Sequence, residues 1–208
     1  VYMYRINWKF RSESEVAIDL FNKGSKILID NGASFAGLAI NSGSDDNSFS
    51  MIASFENSEM YGDFDDKWVS NPDWAKQFKA NWMAQQPIEN IHARTLKDTT
   101  ENLLENEMPV FVNWRFTHPD INAVIGSFEI GEKYWKDAGS SGQILNQLSG
   151  DGMGQFLFAA RFQSMKKLGK GLDMISTNEN FGDDLKDYFK DITWHKNSFT
   201  RLIMKKMK

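Results

Sequence analysis

The sequence "INWKF" at residues 6–10 recurs, with similar residues at each position, as "VNWRF" at residues 112–116. Both pentapeptides carry an aliphatic residue, an asparagine, a tryptophan, a cation and a phenylalanine in the same order. Further along the chain, a shift of 107 positions aligns Phe21 with Phe128 and continues without a gap. Self-similarity at a fixed shift indicates an internal repeat, so we predict a tandem duplication. The same shift pairs Gly24 with Gly131, Asp30 with Asp137, Gly32 with Gly139, Phe55 with Phe162 and Arg94 with Arg201.

Each half carries the hydrophobic patterns of four strands and of helices between them. In residues 2–10, apolar side chains alternate with Arg5, Asn7 and Lys9, which is the period of a strand with one apolar face. A stripe at helical spacing follows and ends at the Asn-Gly pair of residues 31–32. In both halves the elements follow the order β-α-β-β-α-β, the ferredoxin-like pattern. Strands are predicted at residues 2–10, 34–40, 49–55 and 88–96, and again at 109–116, 142–148, 155–162 and 197–204.

These patterns predict an α+β fold of two ferredoxin-like repeats. The first repeat covers residues 1–98, a polar connector covers residues 99–108, and the second repeat covers residues 109–208. An aromatic stripe at helical spacing is expected to pack in the core of the first repeat. Its members are Trp74, Phe78 and Trp82.

The composition argues against several classes of function. The chain has 208 residues and a formal net charge of −4, whereas a general nucleic-acid binder needs a basic face. No apolar run approaches the roughly 20 residues of a membrane-spanning helix, and Arg5 and Lys9 interrupt any signal-peptide core. The sequence has no cysteine, which excludes disulfides, thiolate nucleophiles and zinc–thiolate sites. We expect a cytoplasmic protein that binds neither nucleic acid nor membrane.

The order of elements, the two strand openings and the segment "FENSEMYGDFDDKWVSNPDWAKQF" (residues 55–78) resemble the dimeric α+β barrel superfamily. The resemblance covers both halves and includes the antibiotic-biosynthesis-monooxygenase-like, NIPSNAP-like and stress-responsive groups. It implies two ferredoxin-like sheets packed face to face, with a ligand cavity inside the barrel or between sheet and helices. Because two chains usually supply the two sheets, a chain with both copies is expected to form an intramolecular pseudo-dimeric barrel, as a monomer or within a homodimer.

Polar side chains on the predicted strands are candidates for binding a small polar or anionic molecule. Asparagine offers both donors and an acceptor, and arginine offers a forked donor. His92 is the candidate catalytic base because the ordinary pKa of histidine lies near neutrality. The shift of 107 aligns His92 with Phe199, so at most one of the two copies would be catalytic. The candidate substrate-binding residues are Asn7, Asn113, Arg94, Arg201 and Arg161.

The same polar groups have an alternative role that needs no ligand. Buried polar groups require hydrogen-bond partners whatever their function. These side chains could therefore bond to neighbouring strands across the interface between the two halves.

Three functions stay open at the level of sequence. The first is small-molecule binding, with cofactor-free monooxygenase or isomerase chemistry on an organic carbonyl or phenolic compound. The second is a non-catalytic protein-interaction domain.

The third function is haem binding or degradation. Haem-degrading members of the superfamily use an asparagine, a tryptophan and a haem-ligating histidine. Asn7 and Trp68 match the first two, but the stretches "WAKQFKANW" and "FGDDLKDYF" contain no histidine. The three histidines of the chain are not at metal-ligand spacing, so neither a metal nor a cofactor is predicted.

Overall fold

The computed structural model describes residues 3–44, 47–70, 85–100, 107–150 and 152–208. The predicted stripe of Trp74, Phe78 and Trp82 lies outside the described residues, as do residues 101–106 of the predicted connector. The described strands are β1 (Tyr4–Arg11), β2 (Phe35–Gly43), β3 (Ser48–Phe55), β4 (Gln86–Asp98), β5 (Val110–Thr117), β6 (Ser141–Ser149), β7 (Phe156–Phe162) and β8 (Thr193–Met207). The described helices are α1 (Ser14–Asp30), α2 (Ser58–Ser70), α3 (Ile121–Asp137), α4 (Met165–Ser176) and α5 (Glu179–Phe189). Each strand overlaps one of the strands predicted from the sequence.

The eight strands join edge to edge in one closed antiparallel barrel, in the order β1-β3-β2-β8-β5-β7-β6-β4. The predicted fold class is therefore wrong, because the chain does not form two ferredoxin-like repeats with sheets packed face to face. The first four strands pair with the last four through β2–β8 and β4–β6, so a single sheet closes on itself. The apolar pattern of a strand is the same whichever neighbour pairs with its edge, and closure of a barrel is set by stagger between strands. Sequence patterns alone therefore could not show the closure.

The barrel wall has an apolar outer face and a polar inner face. On β1, Ile6 and Phe10 point outwards and pack with Phe21 and Leu28 of α1. Successive side chains of a strand alternate between faces, so Lys9 points into the barrel. The inner face carries further polar residues that are fully or largely buried, among them Asn41, Ser50, Glu89, Gln143 and Thr200.

Local chemistry explains where the helices begin and end. Asp120 precedes α3, and its side chain accepts a hydrogen bond from the backbone N–H of Asn122 at 2.8 Å. Ser164 caps α4 in the same way by accepting from the backbone N–H of Lys167 at 3.2 Å. After α1 the chain turns at Gly32, whose φ of 110° is readily adopted only by glycine. Among the described residues, no helix is both long and apolar enough to cross a membrane.

Candidate functional site

A cavity of about 570 Å³ lies between the outer face of the barrel and the helices of the C-terminal half. Strands β5, β6 and β7 form its floor, and α3, α4 and α5 cover it. We refer to it as the aromatic cavity because eight of its described lining residues are aromatic: Trp114, Phe116, Phe128, Trp135, Phe158, Phe181, Phe189 and Trp194.

The inner wall of the aromatic cavity is built from three rings that contact one another. Trp114 on β5 and Phe158 on β7 are paired in register, and their rings stack with centroids 5.5 Å apart and an interplanar angle of 15°. Trp135 of α3 lies with its ring centroid 4.9 Å from that of Phe158. Rings in such contact stabilise one another beyond their burial alone, so this wall is a rigid surface.

The mouth of the aromatic cavity is also aromatic. Trp194 at the start of β8 lies 5.4 Å from Phe116 and 6.1 Å from Phe189, measured between ring centroids. Its side chain is nevertheless 54% exposed. Large exposed aromatic side chains often mark a ligand-binding surface.

The polar lining residues lie mainly at the junction of α4 and α5. Asn178 accepts a hydrogen bond from the backbone N–H of Asn180 at 3.0 Å, and Ser176 donates to the carbonyl of Asp173 at 3.0 Å. Ser127 on α3 donates to the carbonyl of Val124 at 2.8 Å. These three side chains bond to the backbone of their own segment. Glu179 is the one charged residue among the described lining residues.

Asn7, Asn113 and Arg161 lie on strand faces that point into the barrel, away from the aromatic cavity. Asn113 Nδ2 donates to Thr200 Oγ1 at 2.9 Å, and Thr200 Oγ1 donates to Asn41 Oδ1 at 3.1 Å. This network joins β5, β8 and β2. Of the three residues, Asn113 thus makes the kind of inter-strand contact that the sequence left open as an alternative.

His92, Arg94 and Arg201 lie on the outer face of the wall. His92 and Arg94 belong to β4 in the N-terminal half, whereas Arg201 is exposed on β8. None of the six sequence-predicted residues is among the described lining residues of the aromatic cavity. The structure thus divides them between two faces of the wall and does not bring them together.

His92 belongs to a cluster of titratable side chains in the N-terminal half. Its Nδ1 lies 3.0 Å from the hydroxyl of Tyr4, and the ring of Tyr4 stacks on Tyr61 with centroids 4.6 Å apart. The Tyr61 hydroxyl donates to Asp65 at 3.4 Å. Burial lowers the pKa of His92, with a smaller opposing effect from the Asp65 carboxylate. Burial and the same carboxylate raise the pKa of Tyr61. His92 is therefore poised as a neutral base beside a phenol.

A buried ion cluster crosses the barrel interior. Arg115 donates to both carboxylate oxygens of Glu89, at 2.6 and 3.1 Å, and Lys9 Nζ lies 3.3 Å from the same carboxylate. Burial alone would raise the pKa of Glu89, but the Arg115 hydrogen bonds and the Lys9 charge together hold it below its ordinary value. This cluster could not be predicted from the sequence, because the three residues lie on β1, β4 and β5, far apart along the chain.

The aromatic cavity was also missed, although the repeat contained a signal for it. At the shift of 107, Trp135 replaces Leu28 and Phe158 replaces Met51. The second half thus gains two rings at positions where the first half has flexible aliphatic or thioether side chains. Such asymmetric positions could have indicated where the halves differ in function.

No model of a known protein family matches the sequence, and no curated protein matches it. Solved structures do match over nearly the whole chain. An anthrone oxidase-like protein aligns with 99% of this chain and 93% of its own, at 8% identity and a TM-score of 0.70. A Fusobacterium nucleatum protein provisionally assigned as a monooxygenase aligns with 100% and 94%, at 10% identity and a TM-score of 0.64. A haem-binding protein from Thermus thermophilus aligns with 98% and 91%, at 6% identity and a TM-score of 0.57. The chain therefore shares the fold of these proteins.

Proposed function

We propose that the chain binds a flat aromatic organic molecule in the aromatic cavity. The cavity itself carries this proposal: its volume of about 570 Å³ lies within the usual range for ligand sites. Its described walls are dominated by rings and aliphatic side chains, with Glu179 as the one charge. A polar or anionic ligand, as expected from Asn7 and Arg161, would find little to bond with there. An aromatic ligand would stack on Trp114, Trp135 and Phe158.

Binding can be tested with a substitution that fills the cavity without disturbing its walls. A Cβ at Gly131 would lie 3.7 Å from Trp135 Nε1 and 3.8 Å from Leu185 Cδ1, which are ordinary contacts. Gly131→Leu should therefore fold and occupy the space. The variant should bind anthrone at least tenfold less tightly than the wild type, as measured by quenching of tryptophan fluorescence. Gly169→Leu is the matched control, because Gly169 lies on α4, faces open space and does not line the cavity. Equal affinity in the wild type and both variants would refute the cavity as the binding site.

We further propose that the bound molecule is oxidised by dioxygen, as the anthrone oxidase-like and monooxygenase neighbours suggest. For anthrone, a base removes a proton from the methylene carbon, and the resulting carbanion supplies electrons to dioxygen. One oxygen atom becomes the new carbonyl oxygen of anthraquinone and the other leaves as water, which accounts for both methylene hydrogens. Glu179 is the titratable group that the described lining offers for the first step.

His92 is a second candidate base, for a substrate held beside Tyr4 and Tyr61 in the N-terminal half, because His92 does not line the aromatic cavity. Oxygen consumption with anthrone separates the two candidates. If Glu179 is the base, Glu179→Gln lowers the rate and His92→Phe does not; if His92 is the base, the reverse holds. An unchanged rate in both variants refutes both assignments, and a rate no greater than that of anthrone in buffer refutes the oxidase proposal while leaving binding to be judged by fluorescence.

Haem does not fit the described residues of the aromatic cavity. Haem iron in proteins is held by His, Cys, Met or Tyr, and the described lining contains none of these. The three histidines of the chain lie elsewhere: His92 contacts Tyr4, His118 accepts from the backbone N–H of Asp120, and His195 contacts Thr117. We therefore derive no step from haem.

We also propose that the chain arose by tandem duplication and acts as a pseudo-dimer. The identical residues at the shift of 107 support this origin, and so does the spatial order of strands. The first four strands are arranged as β4-β1-β3-β2, and the last four repeat that arrangement as β8-β5-β7-β6.

A further inference from the structure

The barrel interior contains buried polar atoms that have no hydrogen-bond partner among the described residues. Four of them lie on β1, β4 and β6: Arg5 Nε, Asn7 Oδ1, Thr95 Oγ1 and Gln143 Oε1. Thr95 is 5% exposed and Gln143 is 3% exposed. Burying a polar atom without a partner is costly, so almost all such atoms in folded proteins are satisfied by protein, water or a ligand.

The strand register places these side chains beside one another. Arg5 on β1 is opposite Ala93 on β4, and the backbone N–H of Thr95 donates to the carbonyl of Met3 at 3.0 Å. Arg5 and Thr95 are therefore diagonal neighbours on the inner face. Thr95 is opposite Leu145 on β6, which makes Gln143 its diagonal neighbour on the other side. Asn7 follows Arg5 on the same face of β1.

The β4–β6 pairing at this point is irregular. Its register shifts between His92 and Ala93 and again between Thr95 and Lys97. Such bulges interrupt a ladder of hydrogen bonds and re-aim the side chains beside them. The two interruptions flank Thr95 and its neighbours.

The opposite junction between the halves, β2–β8, is satisfied by contrast. Thr200 Oγ1 donates to Asn41 Oδ1 at 3.1 Å and accepts from Asn113 Nδ2 at 2.9 Å. Asn41 Nδ2 is in turn 2.9 Å from Ser50 Oγ. Polar residues thus line the inside of both junctions. Those at β2–β8 bond to one another, whereas the four atoms named above at β4–β6 have no partner among the described residues.

We propose that the β4–β6 junction binds a small hydroxyl-bearing guest inside the barrel, either ordered water or a small polyol. A water molecule can donate to the Asn7 and Gln143 oxygens and accept from Arg5 Nε and from the Thr95 hydroxyl, and the hydroxyls of a small polyol can divide the same bonds between them. An anion would be repelled by the Asn7 and Gln143 oxygens, and a metal cation by the Arg5 guanidinium. Buried waters in proteins bond to about three such groups each, which matches this set. The site is separate from the aromatic cavity, and neither proposal depends on the other.

The guest can be detected in solution by ¹⁷O magnetic relaxation dispersion, which counts water molecules held in the protein for longer than its tumbling time. In polyol-free buffer, Thr95→Val combined with Gln143→Leu should remove at least one long-lived water relative to the wild type. Thr200→Val, in the satisfied β2–β8 junction, is the matched control and should not lower the count. Adding ethylene glycol separates the sources: a lower count in the wild type identifies a polyol site, and an unchanged count identifies a water site.

A crystal structure provides a second measurement in case the double variant fails to fold. Wild-type crystals grown and cooled without polyols should show ordered density within hydrogen-bond distance of both Thr95 Oγ1 and Gln143 Oε1. The proposal is overturned if these atoms are instead bonded to protein groups, or if the relaxation dispersion of the double variant equals that of the wild type.

Discussion

Among the described residues, the two halves of the barrel wall differ in how α1 and α3 pack against the strands. In the N-terminal half, α1 packs directly on the wall, and a Cβ at Gly24 would lie only 2.8 Å from Met51 Cε. In the C-terminal half, the equivalent Gly131 faces the aromatic cavity. The buried core there is divided between one cluster around Val112 and Phe162 and another around Phe116 and Phe128. Equivalent backbone positions therefore lie in a packed cluster in one half and face a cavity in the other.

At the positions compared here, the half that contains the aromatic cavity has the larger side chains. Met51 is unbranched and flexible, so it can follow the contour of Gly24 and close the gap. Phe158, its equivalent, is a rigid ring held by Trp114 and Trp135 through stacking. Rings that stabilise one another in a fixed wall cannot also collapse into the space in front of them. Side-chain shape, rather than side-chain volume, thus distinguishes the two halves.

The prediction with the largest expected effect concerns whether the two halves unfold together or separately. Glu89 belongs to the N-terminal half, and its partner Arg115 belongs to the C-terminal half. Glu89→Ala leaves Arg115 and Lys9 without this carboxylate inside the barrel, and removing one partner of a buried ion pair costs about 3–5 kcal/mol. We expect the loss to appear in urea unfolding as one transition that includes both halves, because the barrel sheet is continuous.

The measurement follows far-UV circular dichroism and tryptophan fluorescence on the same samples. Asp19→Ala is the control, since Asp19 and Lys23 form an exposed pair one turn apart on α1 and such pairs contribute at most about 1 kcal/mol. Two separated transitions in the Glu89→Ala variant would show that the halves unfold as independent units.

A smaller effect is expected from the same substitution made in each half. Gly24→Leu adds a side chain where Met51 already fills the space, and overpacking of this kind costs about 1–3 kcal/mol. This cost exceeds the gain of about 0.5–1 kcal/mol from replacing a glycine inside α1. Gly131→Leu enters the aromatic cavity and replaces a glycine inside a helix, which should stabilise the fold by about 0.5–1 kcal/mol. Urea midpoints should therefore move in opposite directions. Equal losses in both variants would mean that the C-terminal half is as tightly packed as the N-terminal half.

The sequence predicted local structure well and long-range closure poorly. The alternation in "INWKF" correctly placed Trp8 on the apolar face of β1 and Asn7 on the opposite face. The pattern of β4 does not show which of its faces points inwards. Asn90, His92 and Arg94 share one face, and the other face carries only Ala93, Thr95 and similar small or apolar residues. Burial decided it, since Ile91 and Ala93 pack inside the barrel. The aromatic cavity depends on contacts between β5, β7 and α3, which no single stretch of sequence contains.

The smallest expected effect concerns His92, for which the C-terminal half has Phe199 at the equivalent position. Burial lowers the pKa of His92 in the folded protein, so below about pH 6.5 the unfolded chain binds a proton that the folded chain does not. Stability from this group is therefore complete above about pH 6.5 and falls as the pH drops towards the lowered pKa. His92 is only partly buried beside Tyr4, Tyr61 and Asp65, so solvent screening limits the effect to about 1 kcal/mol or less.

His92→Phe makes the N-terminal half resemble the C-terminal half. The urea midpoint of the wild type minus that of the variant should rise between pH 5 and pH 7. A difference that stays flat over this range would mean that His92 is protonated as readily in the folded barrel as in the unfolded chain, and its assignment as a neutral base would then fail as well.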